Sequence, residues 1–345
     1  MANHGSGQLN RRTLLKGFAV LGAHAVMGRP RAEAQVPPWR VDVHSHHLPP
    51  AYLAALNAHN LGQPPMLAWT PAKALEDMDR AGVATAVTSI TTPALSFLDA
   101  TARRRVTREC NEWTAQLVAD RKGRFGMFAV VPMPDVDGAL KEIAYALDIL
   151  KADGIGLLTS YGDKWLGDAA FAPVFEELNR RKAVVYTHPT VASCCTNLIA
   201  EVRAPVIEYP TDLTRAIASF VFTGSAARFQ DVSLIFALGG GTMPYIAERL
   251  IRLPLRNKKL EAKVPNGVAY ELKRFYYDTA WAAQPMALAS LTSLVPASQV
   301  LFGSDFPFRT TAEHVKGLTE HGFSAAELRA IDRENAVRLM PRLTA

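Results

Sequence analysis

Hydrophobic and polar positions along this chain follow two alternating patterns. Short runs rich in β-branched and aromatic residues recur, and most are apolar throughout, as expected for strands buried on both faces beneath helices. Eight strands are predicted, at residues 41–45, 84–90, 125–132, 154–161, 183–189, 233–241, 275–280 and 300–307. Between them lie stretches with helical periodicity, including residues 72–81, 106–122, 138–152 and 171–182. The alternation is βα throughout and predicts an α/β fold, a (β/α)8 TIM barrel.

The last predicted helix starts with a capping box, Ser324 to Glu327, and runs to Leu339 before Pro341 ends it. No repeat or interdomain linker interrupts the pattern, so residues 35–345 are predicted to form a single catalytic domain. Residues 48–71 and 190–210 are predicted to be long loops of the kind that build active sites.

The first 34 residues are predicted to be a cleaved export signal of the twin-arginine type. Arg11 and Arg12 precede an apolar run, residues 18–26, that is too short to span a bilayer, and Ala32 and Ala34 supply a small-x-small cleavage pattern. We expect cleavage after Ala34, a periplasmic or otherwise exported protein, and no membrane anchor after cleavage. The alternative is a basic tail on a cytoplasmic enzyme.

Net charge gives no sign of nucleic-acid binding. The chain has a formal net charge of +6, but five basic side chains and one acidic side chain lie in the first 34 residues. The remaining residues therefore have a net charge of +2. The cluster Arg103 to Arg105 is interpreted as a solvated helix face.

Three cysteines, Cys110, Cys194 and Cys195, do not make a disulfide framework, because the count is odd and adjacent cysteines bridge only with strain. They are predicted to pack in the interior.

Two histidines lie two positions apart at the end of the first predicted strand, in Asp42-Val-His44-Ser-His46. Because strand residues alternate between faces, His44 and His46 point the same way. His188 ends the fifth predicted strand and Asp305 the eighth, on the face where such barrels carry active sites. Three imidazoles and a carboxylate suit Zn²⁺ best, with Mn²⁺, Fe²⁺ or Co²⁺ as alternatives. The sequence thus predicts a divalent metal site and implies no organic cofactor.

Given these residues, the chain from about residue 41 to 339 resembles the amidohydrolase superfamily, in the branch of aminocarboxymuconate-semialdehyde decarboxylase and the hydroxybenzoate decarboxylases. It is most similar to the 6-methylsalicylate decarboxylases. Further matching segments are residues 69–71, 79–82, 161–167, 208–215, 241–244 and 277–279. The resemblance implies a small aromatic carboxylate substrate and a homodimer.

The resemblance also implies a histidine just before the glycines that follow the sixth strand, where it acts as acid/base partner. This chain has Leu238 there, and so lacks a proton carrier expected to contribute roughly 10²- to 10⁴-fold in rate. His47 is not expected to substitute, because it follows His46 directly and should point the other way. Asp305 is then the candidate catalytic proton carrier.

Three functions remain open from the sequence. They are non-oxidative decarboxylation of a salicylate-like acid, hydrolysis of a lactone, ester or amide by metal-activated water, and binding without catalysis by a relative that lost its histidine at position 238. The same four metal ligands would serve the first two reactions, with Asp305 also acting as proton carrier or base.

Candidate substrate-binding residues follow from side-chain chemistry. Arg215, Arg249 and Arg309 could each clamp a carboxylate or form an ordinary salt bridge, and the resemblance places Arg249 at a dimer interface. Trp165 and Phe308 could wall a ring-shaped pocket or pack in the core. Asp278, after the seventh strand, is predicted to orient loops rather than react.

Overall fold

The computed structural model describes residues 39–196 and 199–344. Eight parallel strands pair in chain order, each with the next. They are β1 (Arg40–His46), β2 (Val83–Ser89), β3 (Phe125–Val130), β4 (Gly154–Leu158), β5 (Val184–His188), β6 (Ser233–Phe236), β7 (Tyr276–Asp278) and β8 (Val300–Leu301). A parallel bridge between Ser45 and Phe306 links β1 to the segment after β8. The predicted (β/α)8 barrel is confirmed.

Helices follow the strands and cover the barrel. The α-helices are Pro50–Ala58, Pro64–Leu67, Pro71–Ala81, Ala100–Asp120, Val136–Asp148, Ala172–Arg180, Ala204–Phe222, Ser225–Arg228, Met243–Ile251, Lys258–Glu261, Val268–Arg274, Pro285–Leu294, Thr311–Glu320, Ala325–Arg329 and Asn335–Leu339. Short 3-10 turns lie at Ala169–Phe171, Ser193–Cys195, Leu238–Gly240, Pro254–Arg256, Ala297–Gln299 and Pro341–Thr344. No helix within the described ranges combines the length and apolar character needed to cross a membrane.

Six strands are shorter than predicted, and β6 and β8 fall furthest short of their predicted bounds. After β6, Leu238 has φ 51°, and the three glycines that follow it also have positive φ. A residue at positive φ cannot continue an extended strand, so β6 ends before Leu238 and a 3-10 turn follows it. After β8, residues 302–305 lie outside the strand, and Asp305 has φ 63°.

Both predicted long loops contain helix. Residues 48–71 include Pro50–Ala58 and Pro64–Leu67, each of which starts with proline in its first turn, where the missing N–H costs nothing. Residues 190–210 contain the start of Ala204–Phe222, which has Pro210 in its interior. The predicted loop up to Pro210 was therefore wrong from Ala204 onwards, although proline usually breaks a helix.

The carboxyl-terminal helix begins with the predicted capping box at Ser324 and Glu327. It includes a π-helical turn at Ala330–Glu334 before it ends at Leu339. Within that turn the carbonyl of Ile331 accepts a hydrogen bond from the backbone N–H of Phe302 at 3.0 Å. This contact ties the last helix to the end of β8, beside the segment that carries Asp305.

The predicted export signal, residues 1–34, lies outside the described residues, and its cleavage stays a prediction.

Within β1 the alternation of side chains separates two environments. Val41 and Val43 are fully buried apolar residues, whereas Asp42, His44 and His46 alternate with them and are buried polar residues. Because successive residues face opposite ways, the polar set lies on the barrel-interior side.

Candidate metal centre

Four buried side chains converge at the carboxyl ends of the strands. One potential ligand atom from each of His44, His46, His188 and Asp305 lies within 4.8 Å of the others. The three imidazole centroids are 4.9 to 5.4 Å apart in every pairing. The structure thus brings together the four residues named from the sequence, although they come from β1, β5 and the segment after β8.

Each imidazole is anchored through Nδ1 by an acceptor. The Nδ1 atom of His44 lies 2.8 Å from Asp278 Oδ2, that of His46 lies 3.3 Å from the Ser89 carbonyl, and that of His188 lies 2.8 Å from the Pro189 carbonyl. Because a carbonyl or carboxylate oxygen only accepts, each Nδ1 carries the proton. In the neutral imidazoles the lone pairs therefore lie on the three Nε2 atoms, which is the arrangement that a metal ion requires.

The donor atoms fit a divalent ion. His44 Nε2 is buried without a hydrogen-bond partner, although Asp305 Oδ1 lies 3.2 Å away. The same oxygen is 2.9 Å from His46 Nε2. A buried polar atom without a partner is costly, and a cation between these atoms would satisfy it.

The electrostatics of the cluster are dominated by burial and by two carboxylates. Burial alone would lower the pKa of His44, but Asp278 and Asp305 raise it to about 10. Burial lowers the pKa of His46 and holds that of His188 well below its usual range. Burial acts to raise the pKa of Asp305, yet the neighbouring imidazoles of His44 and His46 outweigh it and bring that pKa below its ordinary value. Asp305 is therefore a carboxylate.

Asp42 fastens β1 to the segment after β8. Its Oδ1 accepts from the backbone N–H groups of His44 and Ser304 at 3.0 and 3.1 Å, and its Oδ2 accepts from the Ser304 hydroxyl at 2.5 Å. Burial, partly offset by these hydrogen bonds, raises the pKa of Asp42 to about 7. Asp42 therefore fixes the backbone at His44 and Ser304 and is not one of the four candidate ligands.

A family model described as amidohydrolase matches residues 41–342. The chain belongs to the amidohydrolase family. Among curated relatives, the decarboxylase yanB of Aspergillus niger is 37% identical over 324 residues, which cover 88% of each chain. A 6-methylsalicylic acid decarboxylase of Penicillium expansum is 35% identical over 319 residues, covering 88% of this chain and 97% of its own.

Solved structures share the fold of this amidohydrolase. A dihydroxybenzoic acid decarboxylase of Polaromonas with bound manganese superposes with a TM-score of 0.77 at 19% identity, covering 88% of this chain and 96% of that one. The barrel is therefore a fold that this chain shares with a decarboxylase of known structure.

At the position of the missing histidine, Leu238 keeps a specific backbone geometry. Its N–H donates to Asp278 Oδ1 at 3.1 Å, and its side chain is half-buried against the core. Histidine adopts the left-handed region more readily than leucine does. The backbone at position 238 would therefore suit the histidine that the family resemblance implies there.

His47 points away from the cluster, as predicted. Its Nε2 lies 2.6 Å from the Thr114 hydroxyl, and its ring stacks on Trp113 at 6.0 Å. The Thr114 hydroxyl already donates to the Cys110 carbonyl, so it accepts from His47 Nε2–H. His47 is a core residue with a satisfied N–H.

Two candidate substrate residues are engaged away from the four ligands. Arg215 donates to Glu208 at 3.1 Å and lies near Cys195. The Trp165 indole donates to Asp212 Oδ1 at 2.7 Å. The Trp165 contact joins the segment after β4 to the helix Ala204–Phe222, and the Arg215 contact lies within that helix. Both contacts favour a structural role for these side chains.

Of the other three candidates, Phe308 and Arg309 lie near the four ligands, and Arg249 lies on the helix Met243–Ile251. The Phe308 ring is 6.0 Å from that of His46, edge to face. The Arg309 guanidinium lies 4.3 Å from the centre of the Trp281 ring, with Nε 3.1 Å from Glu313. Arg249 is exposed, and no ion pair to it occurs among the described residues.

A cavity borders His188 between the ends of β2 and β5. Its lining is mostly apolar, with Tyr186, Ser89 and Ser96 among the polar residues. Neither Trp165 nor Phe308 lines it. The apolar lining residues include Ile90, Leu95, Phe128, Val130, Met133 and Leu158.

The cysteine prediction was wrong for two residues of three. Cys194 and Cys195 form a disulfide in the loop after β5 and are not buried, whereas Cys110 is free and buried. Adjacent cysteines can be bridged when the chain turns sharply, and these two lie in a 3-10 turn.

Sequence reasoning missed Trp281 and understated Asp278. The Trp281 indole donates to Asp305 Oδ2 at 2.5 Å, and Asp278 orients His44 in addition to the loop that carries Leu238. The segment 277–279 was noted, but nothing in its pattern indicates which histidine Asp278 meets. No periodic signal marks Trp281, which follows the strand in a turn.

Proposed function

We propose that this amidohydrolase is a metal-dependent, non-oxidative decarboxylase of a small hydroxylated aromatic acid. The observation that carries the proposal is the convergence of three imidazoles and one carboxylate at the strand ends. The curated relatives named for 6-methylsalicylic acid decarboxylation support the reaction and the substrate class.

In the proposed reaction, the bond between the ring and its carboxylate breaks, CO₂ leaves, and a proton takes its place on the ring carbon. His44, His46, His188 and Asp305 would hold the ion, which would supply counter-charge for the substrate oxygens. Asp305, as a carboxylate, accepts the proton of the substrate hydroxyl and returns it to the ring carbon. The Asp278 carboxylate keeps His44 oriented throughout. Arg309, stacked over the Trp281 ring whose indole donates to Asp305, is a candidate clamp for a substrate carboxylate.

We propose Zn²⁺ or Mn²⁺ as the ion. Three imidazoles and one carboxylate are donors that zinc favours, and a manganese-bound fold neighbour supports the second choice. Metal analysis of protein purified without added metal, followed by chelation and refilling with each ion, distinguishes them.

Hydrolysis of a lactone, ester or amide is the competing reaction, because the same ligands and Asp305 could activate water. The deciding experiment measures CO₂ release from a panel of salicylate-like acids, beside hydrolysis of lactones, esters and amides. CO₂ release that stops on chelation and returns with metal supports the proposal. Hydrolysis without CO₂ release replaces it, and reversible binding without turnover would indicate a non-catalytic relative.

We further propose export through the twin-arginine route, based on Arg11, Arg12 and the cleavage pattern ending at Ala34. Replacing both arginines by lysine should leave uncleaved precursor in the cytoplasm, whereas native protein should be found exported with Gln35 at its amino terminus. Cytoplasmic native protein with an intact amino terminus would contradict this.

We also propose a homodimer that uses the mouth of the barrel. Tyr245 and Met286 are 85% and 88% exposed on neighbouring helices, and the exposed Arg249 lies one turn from Tyr245. Large exposed apolar side chains of this kind mark association surfaces. Light scattering should give twice the chain mass for the native protein and the monomer mass for Tyr245→Glu.

A further inference from the structure

Trp281 is joined to Asp305 by a hydrogen bond from its indole ring. It follows β7 by three residues, and its indole Nε1–H donates to Asp305 Oδ2 at 2.5 Å. The other carboxylate oxygen, Oδ1, lies 2.9 Å from His46 Nε2 and 3.2 Å from His44 Nε2. The two oxygens of Asp305 therefore have different partners.

The backbone of Trp281 is held in an unusual conformation by a histidine. Trp281 has φ 55°, and its N–H donates to His314 Nε2 at 3.0 Å. His314 Nδ1 faces the Thr310 carbonyl at 3.3 Å, so Nδ1 carries the proton and Nε2 accepts. A bulky residue in the left-handed region is uncommon and persists where surrounding contacts fix it.

The ring of Trp281 is also fixed from its outer side. The Arg309 guanidinium stacks over it at 4.3 Å, although Trp281 is 45% exposed and lies at the barrel mouth. Burial therefore does not explain why tryptophan occupies this turn. The indole N–H and the stacked cation together fix one orientation of the ring, with the N–H aimed at Asp305.

We propose that Trp281 is a positioning residue that holds the Asp305 carboxylate in the orientation needed to bind the metal. The last torsion of an aspartate side chain is soft, so a carboxylate without a second partner can rotate its oxygens away from the histidines. The indole N–H anchors Oδ2 and leaves Oδ1 directed at His44 and His46. This inference rests on the proposed role of Asp305 as a ligand.

The test compares Trp281→Phe with Trp165→Phe. Phenylalanine at position 281 retains a ring for Arg309 but removes the N–H. Trp165→Phe removes an equivalent indole N–H from a buried carboxylate, Asp212, that is not among the four ligands. Metal-depleted native protein and both variants are titrated with Mn²⁺ and Zn²⁺ by calorimetry, and the thermal unfolding midpoint of each metal-free form is measured.

We expect Trp281→Phe to bind both ions about 10- to 100-fold more weakly, as is usual for loss of a group that orients a ligand. Trp165→Phe should bind as the native protein does. Equal affinity in the native protein and Trp281→Phe would overturn the role of Trp281 while leaving the metal centre in place. Equal weakening in both variants, in step with their unfolding midpoints, would show a general loss of stability and overturn it too. Absence of metal binding by the native protein would overturn the metal centre itself, and this inference with it.

Discussion

The carboxylate of Asp278 accepts a hydrogen bond from His44 Nδ1 at 2.8 Å, and its other oxygen accepts from the backbone of Leu238 at 3.1 Å. One buried side chain therefore fixes the tautomer of His44, a proposed metal ligand, and the backbone turn at Leu238.

Replacing Asp278 by asparagine should weaken metal binding. An asparagine side chain has one accepting oxygen in place of two, so it cannot accept from both the backbone of Leu238 and the Nδ1–H of His44. We expect a loss of about 10- to 100-fold in metal affinity, measured by competition with a chromophoric chelator. Unchanged affinity would mean that His44 is held by its packing alone.

Leu238→His should raise the rate of CO₂ release. The backbone at position 238 already has φ 51°, which histidine tolerates better than leucine, so folding should be little affected. An imidazole in place could add up to about 10²-fold in kcat. Leu238→Asn is the matched control, because asparagine tolerates the same backbone and has nearly the shape of leucine but carries no titrating group. An equal gain in both variants would exclude proton transfer as the cause.

Gly303→Ala should destabilise the barrel beside the ligands. A Cβ at position 303 would lie 2.8 Å from the Cβ of His44 and 3.1 Å from that of Asp278, and neither atom is the end of a flexible side chain. We expect a loss of about 1–3 kcal/mol in the free energy of unfolding, measured in urea.

Gly156→Ala provides the control for this substitution. Gly156 lies in β4, and the nearest atom to a Cβ added there would be 3.7 Å away. The free energy of unfolding should change by no more than about 0.5 kcal/mol. Equal losses in the two variants would show that the replacement of a barrel glycine by alanine, not the contact with His44, is responsible.

Stability at acid pH should depend on Glu177. Hydrogen bonds from Arg180 lower the pKa of Glu177, and burial opposes them. With further hydrogen bonds from Arg181, the pKa falls to about 2 from an ordinary 4.5. A carboxylate with a lowered folded pKa contributes stability above pH 4.5 and loses it as the pH falls towards 2, because the unfolded chain takes up the proton first.

The loss of stability between about pH 6 and about pH 3 should therefore be smaller in Glu177→Gln than in the native protein. Solvent screening of the exposed Arg180 reduces the expected difference to about 1 kcal/mol, measured by urea unfolding at both pH values. Glu76→Gln, which breaks an ion pair exposed on both sides, should leave the acid loss unchanged.

The sequence by itself determined the barrel and the set of candidate ligands. Strand and helix periodicities are local properties, and eight βα units admit few closed arrangements. Once the strands are assigned, the period of two directs His44 and His46 the same way, and the carboxyl ends of β5 and β8 bring His188 and Asp305 to the same face. The same local rules misplaced the turns after β6 and β8, because positive φ at Leu238 and Asp305 leaves no periodic trace.

Only the tertiary structure decided how the ligands are held. The partners of His44 and Asp305 are Asp278 and Trp281, which come from β7 and the turn after it. Such pairings depend on the stagger of neighbouring strands and on the path of the turns at the barrel mouth, which residue types alone do not specify. The disulfide between Cys194 and Cys195 likewise depends on the backbone path of a single turn. Periodicity assigns a side chain to a face, whereas the three-dimensional path of the chain determines which atom it meets there.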